Sequence, residues 1–193
     1  MVIKSRDDYI KYLEADKAAL NIKRRFMKPI VDDIWRFQKI LRKLEYYNNC
    51  KSRFYKIYIL FLKYRFHKIS RLLGFDIPIN VFGPGLSIAH RGTIVVNSNA
   101  RIGANCRIHV CVNIGTSNDN EALVPKIGDN VYIGPGAKIY GDIIIADNVA
   151  IGANSVVNKS FIESNVTIAG MPARIVSQKG SRDLLLKMKI NNM

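Results

Sequence analysis

The sequence predicts a mainly β protein: a parallel β-helix built from hexapeptide repeats, preceded by an α-helical N-terminal segment. Three observations carry that prediction. Isoleucine or valine recurs every sixth residue at Val96, Ile102, Ile108 and Ile114, and again at Ile127, Ile133, Ile139, Ile145, Ile151 and Val157. A small residue often follows the aliphatic one, as in I-G-A-N-C-R, I-G-D-N-V-Y, I-G-P-G-A-K and I-G-A-N-S-V. The first 74 residues lack this period and space their apolar side chains as helices do. A fixed six-residue period is the signature of coils stacked into a β-helix.

Three regions follow: helical residues 1–74, a β-helix over 75–176, and a tail, 177–193, with room for a short helix. In the first, Ser5 is placed to cap a helix that carries Asp7 and Asp8 in its first turn. Ile10, Leu13 and Ala18 form the expected apolar side of that helix. Pro29 suits the first turn of a second helix with the stripe Ile34, Phe37, Ile40, Leu41 and Leu44, ended by Asn48 and Asn49. A third helix runs from about Ser52 to Leu73 and stops at Gly74.

Within the repeats, Asn99, Asn105, Asn130, Gly136, Asp142, Asn148 and Asn154 fall where each hexad must turn a corner. These residue types tolerate the left-handed backbone that tight corners demand. Three hexads close a coil of about 18 residues, so roughly five coils are expected. The rhythm breaks between Ile114 and Ile127, where seven extra residues extrude a polar loop, 115–126. Insertions in repeat proteins map to one face, often the binding face.

The net charge of +15 is uneven. Residues 1–74 hold 19 Lys/Arg against 7 Asp/Glu (+12), and residues 75–193 hold 11 against 8 (+3). Such asymmetry suggests an anionic partner. The basic, aromatic stretch 52–73 suits either a helix lying on an anionic membrane or one packed on its neighbours with Lys and Arg in water. No nucleic-acid module is recognisable. No apolar run reaches the length of a membrane span, and the N-terminus is too polar for a secretory signal. Cys50, Cys106 and Cys111 form no C-x-x-C pair, so reduced thiols in a cytoplasmic protein are expected.

His90 lies six residues before Val96, where the period asks for an aliphatic side chain, and therefore needs an explanation. An imidazole that titrates near neutrality is suited to general base catalysis. His109 follows 19 residues later, one layer up, as a candidate acceptor contact.

The stretches G-L-S-I-A-H-R-G-T-I-V-V, V-Y-I-G-P-G-A-K-I-Y-G-D-I, I-G-A-N-S-V-V and A-G-M-P-A-R-I-V resemble the hexapeptide-repeat acyltransferases. The resemblance is to the branch that includes serine acetyltransferases and capsule or exopolysaccharide O-acetyltransferases. It implies a left-handed coil, a homotrimer with active sites between subunits, and acetyl-CoA as donor without a metal. It also implies that His90 is the general base and that Asp76 orients it, once one residue is deleted between them. For the coenzyme it points to Gly115, Gly134, Gly136, Ala137, Gly152 and Ala153 along the pantetheine arm. Lys159 and Arg174 are the candidates for its phosphates.

The chain departs from the serine acetyltransferase pattern on the acceptor side. Ala89 stands where an aspartate precedes the histidine, and Leu123 and Val124 replace an arginine–histidine pair. The expected activity is therefore an acetyl-CoA-dependent O-acetyltransfer to a sugar hydroxyl of a capsule, exopolysaccharide or lipid-linked glycan, at the inner face of the membrane. Serine O-acetylation is the first alternative and a non-catalytic β-helix scaffold the second. A zinc site of three histidines has only His67, His90 and His109 to draw on.

Overall fold

The computed structural model describes residues 2–22, 32–51, 53–117 and 123–185. Helix α1 spans Arg6–Ala19, and Ser5 accepts from the Asp8 amide at its start. Helix α2 spans Asp33–Cys50 with Asp32 as its cap, accepting from the Trp35 amide. The expected role of Pro29 lies outside the described residues, and α2 runs through Asn48 and Asn49 rather than ending there. A 3₁₀ turn, Arg53–Tyr55, leads into α3, Lys56–Leu73. Gly74 ends α3 in the left-handed region at φ 76°, a conformation open to glycine at no steric cost.

Parallel strands follow in three sheets, with five levels in each. Sheet A stacks β1 (Phe75–Asp76), β3 (Ile94–Val96), β6 (Val112–Gly115), β9 (Lys138–Tyr140) and β12 (Val156–Val157). Sheet B stacks β4 (Arg101–Ile102), β7 (Lys126–Ile127) and β10 (Ile144–Ile145), extended by bridges at Phe82 and Phe161. Sheet C stacks β2 (Ser87–Ile88), β5 (Arg107–Ile108), β8 (Tyr132–Ile133), β11 (Ala150–Ile151) and β13 (Thr167–Gly170). The antiparallel strand β14 (Ala173–Ser177) folds back on β13 and closes the far end. Residues 182–185 are helical.

The period reads the core correctly. Every one of the repeating aliphatic residues from Val96 to Val157 is buried, each at 5% exposure or less. Ile114 pairs with Ile139 and Ile108 with Ile133, each 25 residues apart, so the seven-residue insertion leaves the register intact. Asn105, Asn130, Asn148 and Asn154 take positive φ at their corners as expected. Asn99 and Asp142 do not, because the corner between sheets A and B turns differently, with Gly141 at φ 94°.

The helices cover the open end of the first coil. Phe37 and Leu41 of α2 and Ile69 and Leu73 of α3 join Phe75, Ile77, Val81 and Phe82 in one continuous core with the repeats. Beside it lies a buried ion cluster. The fully buried Arg42 donates all its N–H groups: two to the Asp16 carboxylate, one to Glu45, and one each to the carbonyls of Phe82 and Gly83. Asp16 Oδ1 also accepts from the amides of Gly85 and Leu86, and Glu45 Oε1 from the amide of Asn80. Burial opposes the Arg42 charge, but Asp16 and Glu45 outweigh it and hold the guanidinium protonated. Burial pushes the Glu45 carboxyl above its ordinary value. The cluster corrects the reading of α1, which buries Tyr12 and Asp16 and leaves Ile10 42% exposed. The helix turns Tyr9, Tyr12 and Asp16 inward, setting the two tyrosines against Tyr46 and Ile3 and the carboxylate against Arg42.

Removing Arg42 strands two buried carboxylates and two carbonyls. Arg42→Met is expected to cost about 3–5 kcal/mol, read as a lowered urea midpoint. Arg36→Met, which breaks the exposed pair with Asp33, is expected to change stability by less than about 1 kcal/mol.

Candidate active site

The corner from sheet C to sheet A recurs at successive levels as residues 89–93, 109–111, 134–137 and 152–155. His90 lies in the first of these and His109 in the second. Ile88 pairs with Ile108 and Ile94 with Val112, so the first corner spans six positions where the next spans four. The expectation that His90 fills an aliphatic position of the repeat is therefore corrected. Ile88 fills it, and His90 stands exposed on a corner two residues longer.

Gly92 makes the longer corner possible. Its φ is 128°, and a Cβ there would lie 2.4 Å from Val110 Cγ2. Its amide donates to the Leu73 carbonyl, and Arg91 pairs with Asp33 at 3.1 Å, tying the corner to α3 and α2.

The His90 and His109 rings are 5.9 Å apart, and His109 lies 5.1 Å from the Tyr132 ring. Burial, with help from Arg107 and His90, lowers the His109 pKa to about 4. It is a neutral imidazole at pH 7, and its Nε2 is buried without a hydrogen-bond partner among the described residues. Next to it, Arg107 donates to Ser87 Oγ at 2.8 Å and forms no ion pair among the described residues. Burial pulls the Arg107 guanidinium below its ordinary value. Ser87, Arg107 and Tyr132 are aligned by strand register on the outer face of sheet C. The sequence reading missed them, though the signal was available: each immediately precedes a core isoleucine of the repeat.

Asp76 is exposed on β1, paired with Val95. Among the described residues it makes no hydrogen bond or ion pair with His90. The residues expected along the coenzyme divide into columns. Gly134, Gly136, Gly152 and Ala153 continue the His90 column upward. Gly115, at the end of β6, and Lys159 lie in the column on the other edge of sheet A, where the 115–126 loop leaves the coil. Arg174 is exposed on β14 and pairs with Ala169. Sheet A, with Asp76, Asn113 and Lys138 on its outer face, lies between the two columns.

The glycines are not equivalent. A Cβ at Gly134 would lie 2.8 Å from the Ala153 nitrogen, and one at Gly152 would lie 2.8 Å from Ala169 Cβ. One at Gly136 would meet only the amide tip of Asn154, but its φ of 76° favours glycine. Gly134 and Gly152 are the two held to glycine by the stacking of coils. Gly115 differs, since a Cβ there would meet nothing closer than Asn113 Oδ1 at 3.5 Å. Ala137 is fully buried, so its side chain packs in the core and only its backbone can face a ligand. No group of three or more His, Cys, Asp or Glu residues that could hold a metal occurs among the described residues.

Comparison with known proteins agrees with this scaffold. The family model described as bacterial transferase hexapeptide (six repeats) matches residues 125–159. Serine acetyltransferase of Staphylococcus xylosus is 45% identical over 101 residues, covering 52% of this chain and 46% of that protein. The serine acetyltransferase of Staphylococcus aureus strain Mu50 is 42% identical over 118 residues, 60% of this chain and 55% of its own. The chain thus spans about half the length of the curated relatives it matches. Among solved structures, serine acetyltransferase from Brucella abortus strain S19 superposes with a TM-score of 0.72 at 30% identity, covering 91% of this chain and 71% of that one. Its complex with coenzyme A superposes with a TM-score of 0.74 at 30% identity, covering 91% and 70%. The chain belongs to the hexapeptide-repeat acyltransferase family. Within it, the similar proteins named here are all serine acetyltransferases, and no capsular polysaccharide enzyme is among them.

Two outcomes follow from this geometry. Gly134→Ala is expected to lose about 1–3 kcal/mol of stability through displaced coil backbone, whereas Gly115→Ala should stay within about 0.5 kcal/mol of the parent in the same urea titration. Because the folded state holds His109 below its unfolded pKa, the unfolded chain binds more protons between pH 6.5 and about 4. Stability from the neutral imidazole is present above that window and falls as pH drops through it. Calorimetry from pH 7 to 4 should show a shallower loss of Tm in His109→Gln than in the parent.

Proposed function

We propose that this chain is an acetyl-CoA-dependent O-acetyltransferase in which His90 is the general base. The observation that carries the reading is the exposed His90 on its lengthened corner, beside a column of close-packed corners leading upward. The acceptor hydroxyl gives its proton to His90 as its oxygen attacks the acetyl carbonyl. Backbone N–H groups stabilise the tetrahedral oxyanion. The C–S bond then breaks, and the imidazolium returns the proton to the coenzyme A thiolate. Asp76, not bonded to His90 in this structure, is the carboxylate assigned to orient the imidazole once the acceptor is bound, and His109 contacts the acceptor as a neutral hydrogen-bonding group. Gly115, Gly134, Gly136, Gly152, Ala153 and the backbone of Ala137 border the pantetheine arm, with Lys159 and Arg174 toward the phosphates. The coil is left-handed, the working unit is a homotrimer with its sites between subunits, and the donor places the reaction in the cytoplasm.

The names of the relatives favour serine as the acceptor over the sugar hydroxyl expected from the sequence. One observation keeps a second reading, transfer to a sugar hydroxyl, in play. A zwitterionic amino acid needs charged partners, yet Ala89, Leu123 and Val124 are apolar, and Val124 is buried at 4% exposure.

Release of coenzyme A thiol from acetyl-CoA, measured with serine, nucleotide sugars and capsule oligosaccharides side by side, separates the readings. His90→Ala is expected to lower kcat by roughly 10²–10⁴-fold while circular dichroism stays unchanged. Full activity in that variant rejects the mechanism. Absence of thiol release with every acceptor favours a scaffold.

A further inference from the structure

Helix α3 buries one face and leaves the opposite one uncovered. Leu62, Ile69, Ser70 and Leu73 are buried, and Phe66 packs against the core. On the other side, Ile57 is 86% exposed, Leu60 68%, Phe61 51%, Tyr64 63% and Leu72 74%, with Phe54 of the preceding turn at 96%. Positions 57, 60, 61, 64 and 72 follow helical spacing and so form one stripe. Scattered exposed apolar residues are ordinary on a protein surface, but a contiguous stripe of large ones is not.

The charges around the stripe are of one sign. Residues 51–73 contain seven Lys/Arg and no Asp or Glu. Lys56, Lys63 and His67 flank the stripe on one side and Arg65 on the other, its guanidinium 5.7 Å from the Phe61 ring centroid. Lys68 and Arg71 lie on the stripe itself toward its C-terminal end. No helix among the described residues is long and apolar enough to cross a membrane.

We infer that α3 docks on the surface of an anionic lipid bilayer, with Phe54, Ile57, Leu60, Phe61 and Tyr64 entering the headgroup boundary and the surrounding basic side chains meeting lipid phosphates. An amphipathic helix with large apolar residues on one face and Lys or Arg around them is the arrangement that binds an interface. Each basic group near such a surface adds attraction that salt screens. A second copy of the same face would bring apolar residues together but would also oppose two uniformly positive helices. A bilayer complements both the apolar and the charged components. The inference does not depend on the acceptor or on catalysis.

The test is flotation of the full chain with vesicles of phosphatidylcholine alone and of phosphatidylcholine mixed with phosphatidylglycerol. Binding to the anionic vesicles is expected at low salt, with little to the neutral ones. Ile57→Gln with Leu60→Gln should weaken it by more than about tenfold, as should Lys63→Gln with Lys68→Gln or a rise to about 0.5 M salt. All four positions are exposed, so circular dichroism should be unchanged. Two results overturn the inference. One is no binding to anionic vesicles at low salt. The other is unchanged vesicle binding in Ile57→Gln with Leu60→Gln while sedimentation shows a smaller assembly, which would make the face a protein–protein contact.

Discussion

A coil of a β-helix finds its hydrogen-bond partners in the coils on either side, and the first coil has a neighbour on one side only. The amides of Asn80, Gly85 and Leu86 and the carbonyls of Phe82 and Gly83 lie at that end. Left unpaired in an apolar setting, each would be costly. Arg42, Asp16 and Glu45 answer all five, and do so from helices that sequence places far from them. Every level above depends on this closure, because each coil templates the next through register. The corner that presents His90 hangs from it too, through Gly92 on α3 and Arg91 on α2.

Much of the scaffold was legible because it repeats. A six-residue period specifies which side chains point inward, and the burial of Val96 through Val157 obeys it. The capping of α1 by Ser5 and the stop at Gly74 were legible because both are local. What the period could not carry was an irregularity of phase. His90 counts as in step when measured from Val96, yet Ile88 occupies the inward position, because two residues are added where the chain passes from sheet C to sheet A. Sequence counting has no way to tell a substituted core position from a lengthened corner.

The other misreadings share a cause. The Arg42–Asp16 pair joins residues 26 apart, and nothing local marks either as buried. Without it, α1 is assigned the wrong inward face. The glycines posed a related problem. A glycine beside a ligand and a glycine beneath another coil look alike in sequence, and only the distances from Gly134 and Gly152 to the next coil separate them from Gly115. In space, His90, His109, Gly134, Gly136, Gly152 and Ala153 share one column, whereas Gly115 and Lys159 lie in another. Ala137 turns inward, and Arg107 and Ser87 stand beside His109, which the sequence period did not mark.

The seven residues inserted between Ile114 and Ile127 leave and rejoin the stack without disturbing the pairs above and below them. A closed loop grows at little thermodynamic expense, about 0.6 kcal/mol for each doubling of length. The stack acts as a fixed chassis, and a segment that leaves it can lengthen or shorten without shifting its register. Divergence in such segments can therefore run well ahead of divergence in how the chassis folds.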